Sequence, residues 1–138
     1  NRSVPSALYY DRITHVPGKL NVKAMQAACQ VFLGKHDFKA LQAAQAQVKT
    51  TTRTLYRLEL KDLGGGHLMM EVEGDGFLYN MVRILAGTLV FVGQGKITPE
   101  SLPQRLKSRD RRQMGKTMPA HGLYLVKVNY DPDPFKTK

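Results

Sequence analysis

Residues 74–87, Gly-Asp-Gly-Phe-Leu-Tyr-Asn-Met-Val-Arg-Ile-Leu-Ala-Gly, place one charged side chain, Arg83, inside an otherwise apolar helical run. A guanidinium among apolar neighbours is costly unless a carboxylate or phosphate meets it, and its planar fork suits either anion. Two readings fit the local residues. Arg83 is partly buried and engaged by an anion, or its stem snorkels and its head reaches solvent. No acid of the chain is obviously placed to serve it. Asp75, in the turn ahead of the helix, reads more simply as a cap or turn residue.

The second chemical feature is a stretch with six basic residues within twelve, Arg105, Lys107, Arg109, Arg111, Arg112 and Lys116, and Asp110 as its one acid. The run is either a solvated loop or a phosphate-tracking surface. The whole chain favours the second, because its 138 residues carry 21 Lys+Arg against 11 Asp+Glu, a formal +10. A surplus of that size points to a polyanion, most commonly nucleic acid, held without sequence readout. His36-Asp37 could form a catalytic pair, but an aspartate just past a helix is more simply a turn residue.

Other chemistries find no support. His15, His36, His67 and His121 stand far apart with no second cysteine, so no zinc pattern exists and no metal site is expected. Cys29, the single cysteine, falls on an apolar helix face and reads as a small buried hydrophobe. Neither a phosphate-binding glycine loop nor a nucleophile elbow is present. No apolar run reaches membrane-spanning length and no secretory signal opens the chain, so a reducing, intracellular compartment is expected, the cytoplasm or an organelle. The chain starts at Asn1 rather than methionine, so it is read as part of something longer.

The elements that must position these residues follow from periodicity. Residues 1–20 form a lead-in segment, with a short extended piece at Ala7–Tyr10. Asn21 caps a helix to about Leu33, with Val22, Met25, Cys29 and Phe32 on one stripe, Ala28 and Leu33 widening it, and Gly34 ending it. Phe38 plugs the core. Residues 39–52 are a short helix or a loop. Thr54, Tyr56, Leu58 and Leu60 alternate with Arg53, Arg57, Glu59 and Lys61, and Leu68, Met70 and Val72 point inward after a Gly64–Gly66 turn, which predicts an antiparallel hairpin. A central helix is predicted over Phe77–Val92, ended by Gly93 and Gly95. A short helix then runs from the Thr98-Pro99 start to Leu106. A strand over Leu123–Tyr130 closes the domain, and residues 131–138 are a polar tail. The pattern is one α+β domain over residues 21–130: a small antiparallel or mixed sheet with helices packed on one face.

Four motifs, in order, make the sequence resemble the TruA-type tRNA pseudouridine synthases over about residues 10–130. The signature is Gly76-Phe77-Leu78-Tyr79-Asn80-Met81-Val82-Arg83 followed by Gly87. Before it stand Gly34-Lys35-His36-Asp37-Phe38 and Arg53-Thr54-Leu55, and after it Pro119-Ala120-His121-Gly122-Leu123-Tyr124-Leu125. The resemblance implies isomerisation of uridine to pseudouridine in RNA, most simply tRNA, without a cofactor. In that family an aspartate is the nucleophile, an arginine pairs with it, an aromatic residue stacks on the base, and a basic cleft holds the RNA.

Arg83 corresponds to the pairing arginine. Tyr79, Met81, Leu123 and Leu125 correspond to substrate-binding positions, and the 105–116 run to part of the RNA cleft. The family's Arg-x-Asp-x-Gly-Val-His-Ala and Arg-Tyr-x-Tyr motifs are absent. Asp11, Asp37, Asp62, Asp75 and Asp110 do not stand in the nucleophile's context, and Tyr9 and Tyr10 lack the arginine pattern. The chain therefore resembles the C-terminal half of such an enzyme, inactive alone, with a catalytic N-terminal half and a homodimer partner as expected partners. The alternatives are a non-catalytic RNA-binding module, for example in a ribonucleoprotein, and a small α+β domain that dimerises by edge strands.

Overall fold

Asn21 caps the first helix as its type predicts. In a computed structural model, which describes residue 1 and residues 12–44 and 47–126, the Ala24 amide donates to Asn21 Oδ1 at 3.0 Å. Helix α1 then spans Val22–Phe32 and buries Met25, Ala28, Cys29 and Phe32, the spacing of one helical face. Phe32 and Phe38 are fully enclosed, each contributing roughly 2–3 kcal/mol of apolar burial. Burial also pushes the Cys29 thiol up to about 11, so this cysteine is an inert core residue.

Past α1 the structure departs from the sequence expectation. Gly34 turns at φ 90° and the chain enters a strand, β1 (Gly34–Asp37). Its four residues carry no apolar alternation. The strand exists because its backbone pairs antiparallel with β2 (Thr52–Gly64), Gly34 facing Leu55 and Asp37 facing Thr52. Strand β3 (His67–Gly74) pairs on the other side of β2, completing a three-stranded sheet in the order β1-β2-β3. Gly64, Gly65 and Gly66 all have positive φ, which the tight hairpin turn demands.

The predicted inward set of β2 needs one correction. Tyr56 is 62% exposed and Leu55 is 1% exposed, the reverse of strict alternation. The cause is a bulge: Leu55 pairs with Gly74 but Arg57 with Glu73, so an extra β2 residue shifts the pleat by one. Beyond it, Leu58 and Leu60 face the core, while Arg57, Glu71 and Lys61 form an ion-paired ladder on the wet face.

Helix α1 touches both β2 and the central helix α2 (Met81–Gly93). Gln26 of α1 donates to the Leu60 carbonyl at 3.1 Å, and the Asn21 amide to Gly93 at 2.8 Å. Helix α2 starts four residues later than predicted. Asn80 sits in the left-handed region at φ 58°, so Phe77–Asn80 form a turn in which Leu78 is buried while Phe77 and Tyr79 are exposed. A 3₁₀ turn at Pro99–Ser101 leads into α3 (Leu102–Lys107), matching the proline-initiated helix expected there. Residues 39–41 form a single 3₁₀ turn followed by loop. The expected closing strand does not appear in its described part. Leu123 follows a 3₁₀ turn at Ala120–Gly122 with extended backbone angles, and residues 123–126 belong to no strand. Ala7–Tyr10, Asp11 and residues 127–138 lie outside the described residues.

Segment 114–118 is laid directly on the backbone of α2. A Cβ on Gly87 would come within 1.7 Å of the Lys116 carbonyl oxygen, and one on Gly115 within 2.4 Å of the Gly87 backbone. Buried Thr88 Oγ1 donates to the Ile84 carbonyl at 2.8 Å and accepts the Gly115 amide at 2.9 Å. The Met118 amide donates to the Arg83 carbonyl at 3.1 Å.

In an ordinary helix interior, Gly→Ala stabilises by about 1 kcal/mol. Here Gly87→Ala is expected to reverse that sign and destabilise by about 3 kcal/mol or more, because the new methyl meets backbone that cannot rotate away. Urea unfolding followed by circular dichroism measures it. An unchanged or higher midpoint would show that segment 114–118 does not press on α2.

Candidate active site

Arg83 is the third residue of α2, in its first turn rather than deep inside it. Its Nε donates to the Met118 carbonyl at 2.7 Å and its Nη1 to Asn80 Oδ1 at 3.0 Å. The side chain is thus half-buried and oriented, not snorkelling. No described carboxylate pairs with it, and its Nη2 makes no bond to a described residue. A cation in the first turn also opposes the positive end of the helix dipole, so an incoming anion would be favoured by both charges. The arrangement can orient and hold an ionised carboxylate or a phosphate.

The turn before α2 is fixed at both ends. The Thr54 amide donates to Asp75 Oδ1 at 2.9 Å while the Asp75 amide donates to the Thr54 carbonyl at 3.0 Å. Asp75 is therefore a strand-end clasp rather than a helix cap. The Ala43 amide holds the Tyr79 carbonyl at 3.1 Å. Between them Tyr79 projects with 63% exposure, four residues before Arg83. Met81 does not join it. Its side chain is 1% exposed in the core, so this expected substrate contact is corrected: helix entry at Met81 turns that residue inward. Leu123 and Leu125 are open, at 47% and 81% exposure. The segment bearing them is seated through Gly122 against Thr14, through His121 on the Ile13 carbonyl at 3.0 Å, and through the Tyr124 hydroxyl on the Arg12 carbonyl at 2.7 Å. Sequence reasoning missed Asn80 and Met118. The signal for Asn80 was available, since asparagine is among the residues most tolerant of the left-handed region. Nothing local marked Met118.

The basic run is not a uniform surface. Arg105 donates from Nε to Ser101 at 3.0 Å and from Nη1 to the Gln113 carbonyl at 2.9 Å. Arg111 donates to the Gly115 carbonyl at 2.7 Å and to Thr117 at 3.2 Å. These two brace the loop between α3 and segment 114–118. Arg112 pairs with Asp110 at 3.0 Å and Arg109 with Asp37 at 2.9 Å. Lys107 and Lys116 make no side-chain bond or ion pair with a described residue. His36 and Asp37 are not a catalytic pair: His36 Nε2 donates to the Leu33 carbonyl at 2.7 Å and its ring meets the Phe38 edge at 5.6 Å. Asp37 instead accepts from the Lys39 amide at 3.0 Å and the Thr51 hydroxyl at 2.5 Å.

Among the described residues, no cluster of three or more His, Cys, Asp or Glu could hold a metal ion. No helix there is long and apolar enough to cross a membrane.

Comparison with known proteins gives a consistent result. A family model described as tRNA pseudouridine synthase matches residues 28–131. The chain is similar to the tRNA pseudouridine synthase A of Ruminiclostridium cellulolyticum, 47% identical over 125 residues, which is 91% of this chain and 51% of that protein. The protein of the same name from Acetivibrio thermocellus is 47% identical over 130 residues, 94% of this chain and 53% of the relative. That from Bacillus subtilis is 45% identical over 117 residues, 85% and 47% respectively. The chain thus spans about half the length of the curated relatives it matches.

Asp37 yields a pH prediction. Burial pushes its carboxyl up, but the Thr51 hydroxyl, the Lys39 amide and the Arg109 guanidinium together hold it below the usual carboxylate range. A depressed carboxyl contributes stability above its unfolded value of about 3.9 and loses it as pH falls through the folded value. Asp37→Asn is therefore expected to lower the urea midpoint at neutral pH, with the gap to the unaltered protein closing as pH falls through the depressed folded value. A gap that stays constant from neutral pH to acid would contradict this.

Proposed function

This chain belongs to the tRNA pseudouridine synthase family, and from that premise we propose that it forms the C-terminal half of an enzyme isomerising uridine to pseudouridine in tRNA. The observation that carries the reading is the state of Arg83: two of its nitrogens are spent on Met118 and Asn80, and Nη2 is left unpaired among the described residues. In this reading the free edge holds the nucleophilic aspartate of the N-terminal half. The guanidinium keeps that carboxylate ionised and aimed at the nucleoside.

Isomerisation breaks the N1–C1′ bond of uridine and forms a C5–C1′ bond. The C5 hydrogen leaves to water and N1 gains a proton, so no oxidant and no cofactor enters. Tyr79, Leu123 and Leu125 supply apolar surface around the base, where the exposure of their side chains leaves them available. Lys107 and Lys116 position the RNA backbone without reading its sequence.

The test uses full-length protein and tRNA tritiated at uridine C5. Arg83→Ala is expected to slow tritium release at least about a hundredfold, as removal of one partner of a desolvated charge pair does, while tRNA affinity changes little. Because Arg83 also braces Met118, the unfolding midpoint of each variant is measured alongside, and Arg83→Lys, which keeps the charge without the fork, is expected to remain strongly impaired. Near-normal turnover in a folded Arg83→Ala variant would reduce Arg83 to a structural residue and remove the reading.

A further inference from the structure

At the end of the sheet from which β3 leads toward α2 lies a feature that the bond exchange at uridine does not use. The C-terminus of β1, the N-terminus of β2 and the C-terminus of β3 share that end, since Asp37 faces Thr52 and Leu55 faces Gly74. There an open pocket of about 330 Å³ has Val31, Pro103 and Leu106 as apolar wall and Asp37, Lys107 and Arg109 as charged rim. Small-ligand sites begin at about this size, combining apolar walls with a few convergent polar groups.

The charged rim is built rather than incidental. Arg109 sits at φ 57°, a conformation non-glycine residues seldom adopt. It is held there with its Nε on Asp37 at 2.9 Å, and Asp37 is itself fixed by Thr51 and the Lys39 amide. Only Nε is spent, so the terminal nitrogens of Arg109 make no bond to a described residue. Lys107, the last residue of α3, is also without such a partner. One carboxylate against two cations leaves the rim net positive. An anion with a flat apolar body fits this combination better than an acidic peptide, whose side chains bring charge without a flat face for Val31, Pro103 and Leu106.

We propose that this pocket takes one nucleotide of the bound RNA other than the isomerised uridine, its phosphate on Lys107 and Arg109 and its base against Val31, Pro103 and Leu106. The inference rests on the reading that the substrate is an RNA. It would make the Arg109–Asp37 pair a device that aims a guanidinium at phosphate while keeping it from collapsing onto the surface.

The test is filter binding of an unmodified tRNA transcript to full-length protein over a range of salt. Two variants are compared, Lys107→Gln and Arg109→Gly, the second chosen because glycine accepts the positive φ without strain. Each is expected to weaken binding about tenfold, the loss of one charge-assisted contact, and to lower the salt slope by about one. Photo-crosslinking is expected to place a nucleotide on residues 103–109. Unchanged affinity and slope in both folded variants, with the unaltered protein binding tRNA, would overturn the pocket and leave the RNA reading standing. Saturation by free uridine monophosphate, with RNA affinity unchanged in both variants, would assign the pocket to a small ligand and overturn the proposal as well. Failure of the unaltered protein to bind tRNA at low salt would reject the RNA substrate, and the pocket assignment with it.

Discussion

The backbone-on-backbone contact between Gly87 and residues 115–116 is the constraint on which the site depends. Helix α2 admits segment 114–118 at a distance that leaves no room for a Cβ on either glycine. That approach brings the Gly115 amide to Thr88 Oγ1 and the Met118 amide to the Arg83 carbonyl. It also puts the Met118 carbonyl at 2.7 Å from Arg83 Nε, so the segment that packs on the helix also aims the guanidinium. A side chain at Gly87 would push the segment away and release Arg83 in the same step. Packing and site geometry are thus one interaction seen from two sides.

Arg83 and Arg109 are anchored in the same way. Arg83 and Arg109 each commit Nε to a fixed acceptor, the Met118 carbonyl and the Asp37 carboxylate respectively, and each retains a terminal nitrogen without a described partner. A guanidinium anchored by one edge loses little further freedom when its other edge meets an anion, which is the advantage of pre-organisation. The other basic residues divide by local chemistry. Arg105 and Arg111 satisfy backbone carbonyls of their own loop, and Arg112 is paired with Asp110. Exposed pairs of this last kind add little stability. A net charge of +10 therefore overstates the number of cations free to meet a phosphate.

Much of the architecture was legible from local pattern. Asn21 with its apolar stripe announced α1, and the Gly64–Gly66 turn between two alternating runs announced the hairpin. The glycines at 93 and 95 marked the end of α2. What escaped was set by pairing. Strand β1, Gly-Lys-His-Asp, has no pattern of its own and is a strand only because β2 lies beside it. The bulge at Leu55–Arg57 inverted the assignment of Tyr56 and Leu55. The late start of α2 moved Met81 from the expected substrate surface into the core.

By itself, the sequence determined the type and order of most elements and the motifs that mark the family, because both reside in residues close along the chain. Which charges are free was decided only by the tertiary structure. Arg83 is served from Met118, 35 residues away, and Asp37 meets Arg109 from another element altogether. Hydrogen-bond partners of that range are chosen by how helices and segments pack, and periodicity carries no record of it. The guanidinium that stood out as too costly to leave unpaired is in the end half satisfied by its own domain, through Met118 and Asn80, and Nη2 is left without a described partner.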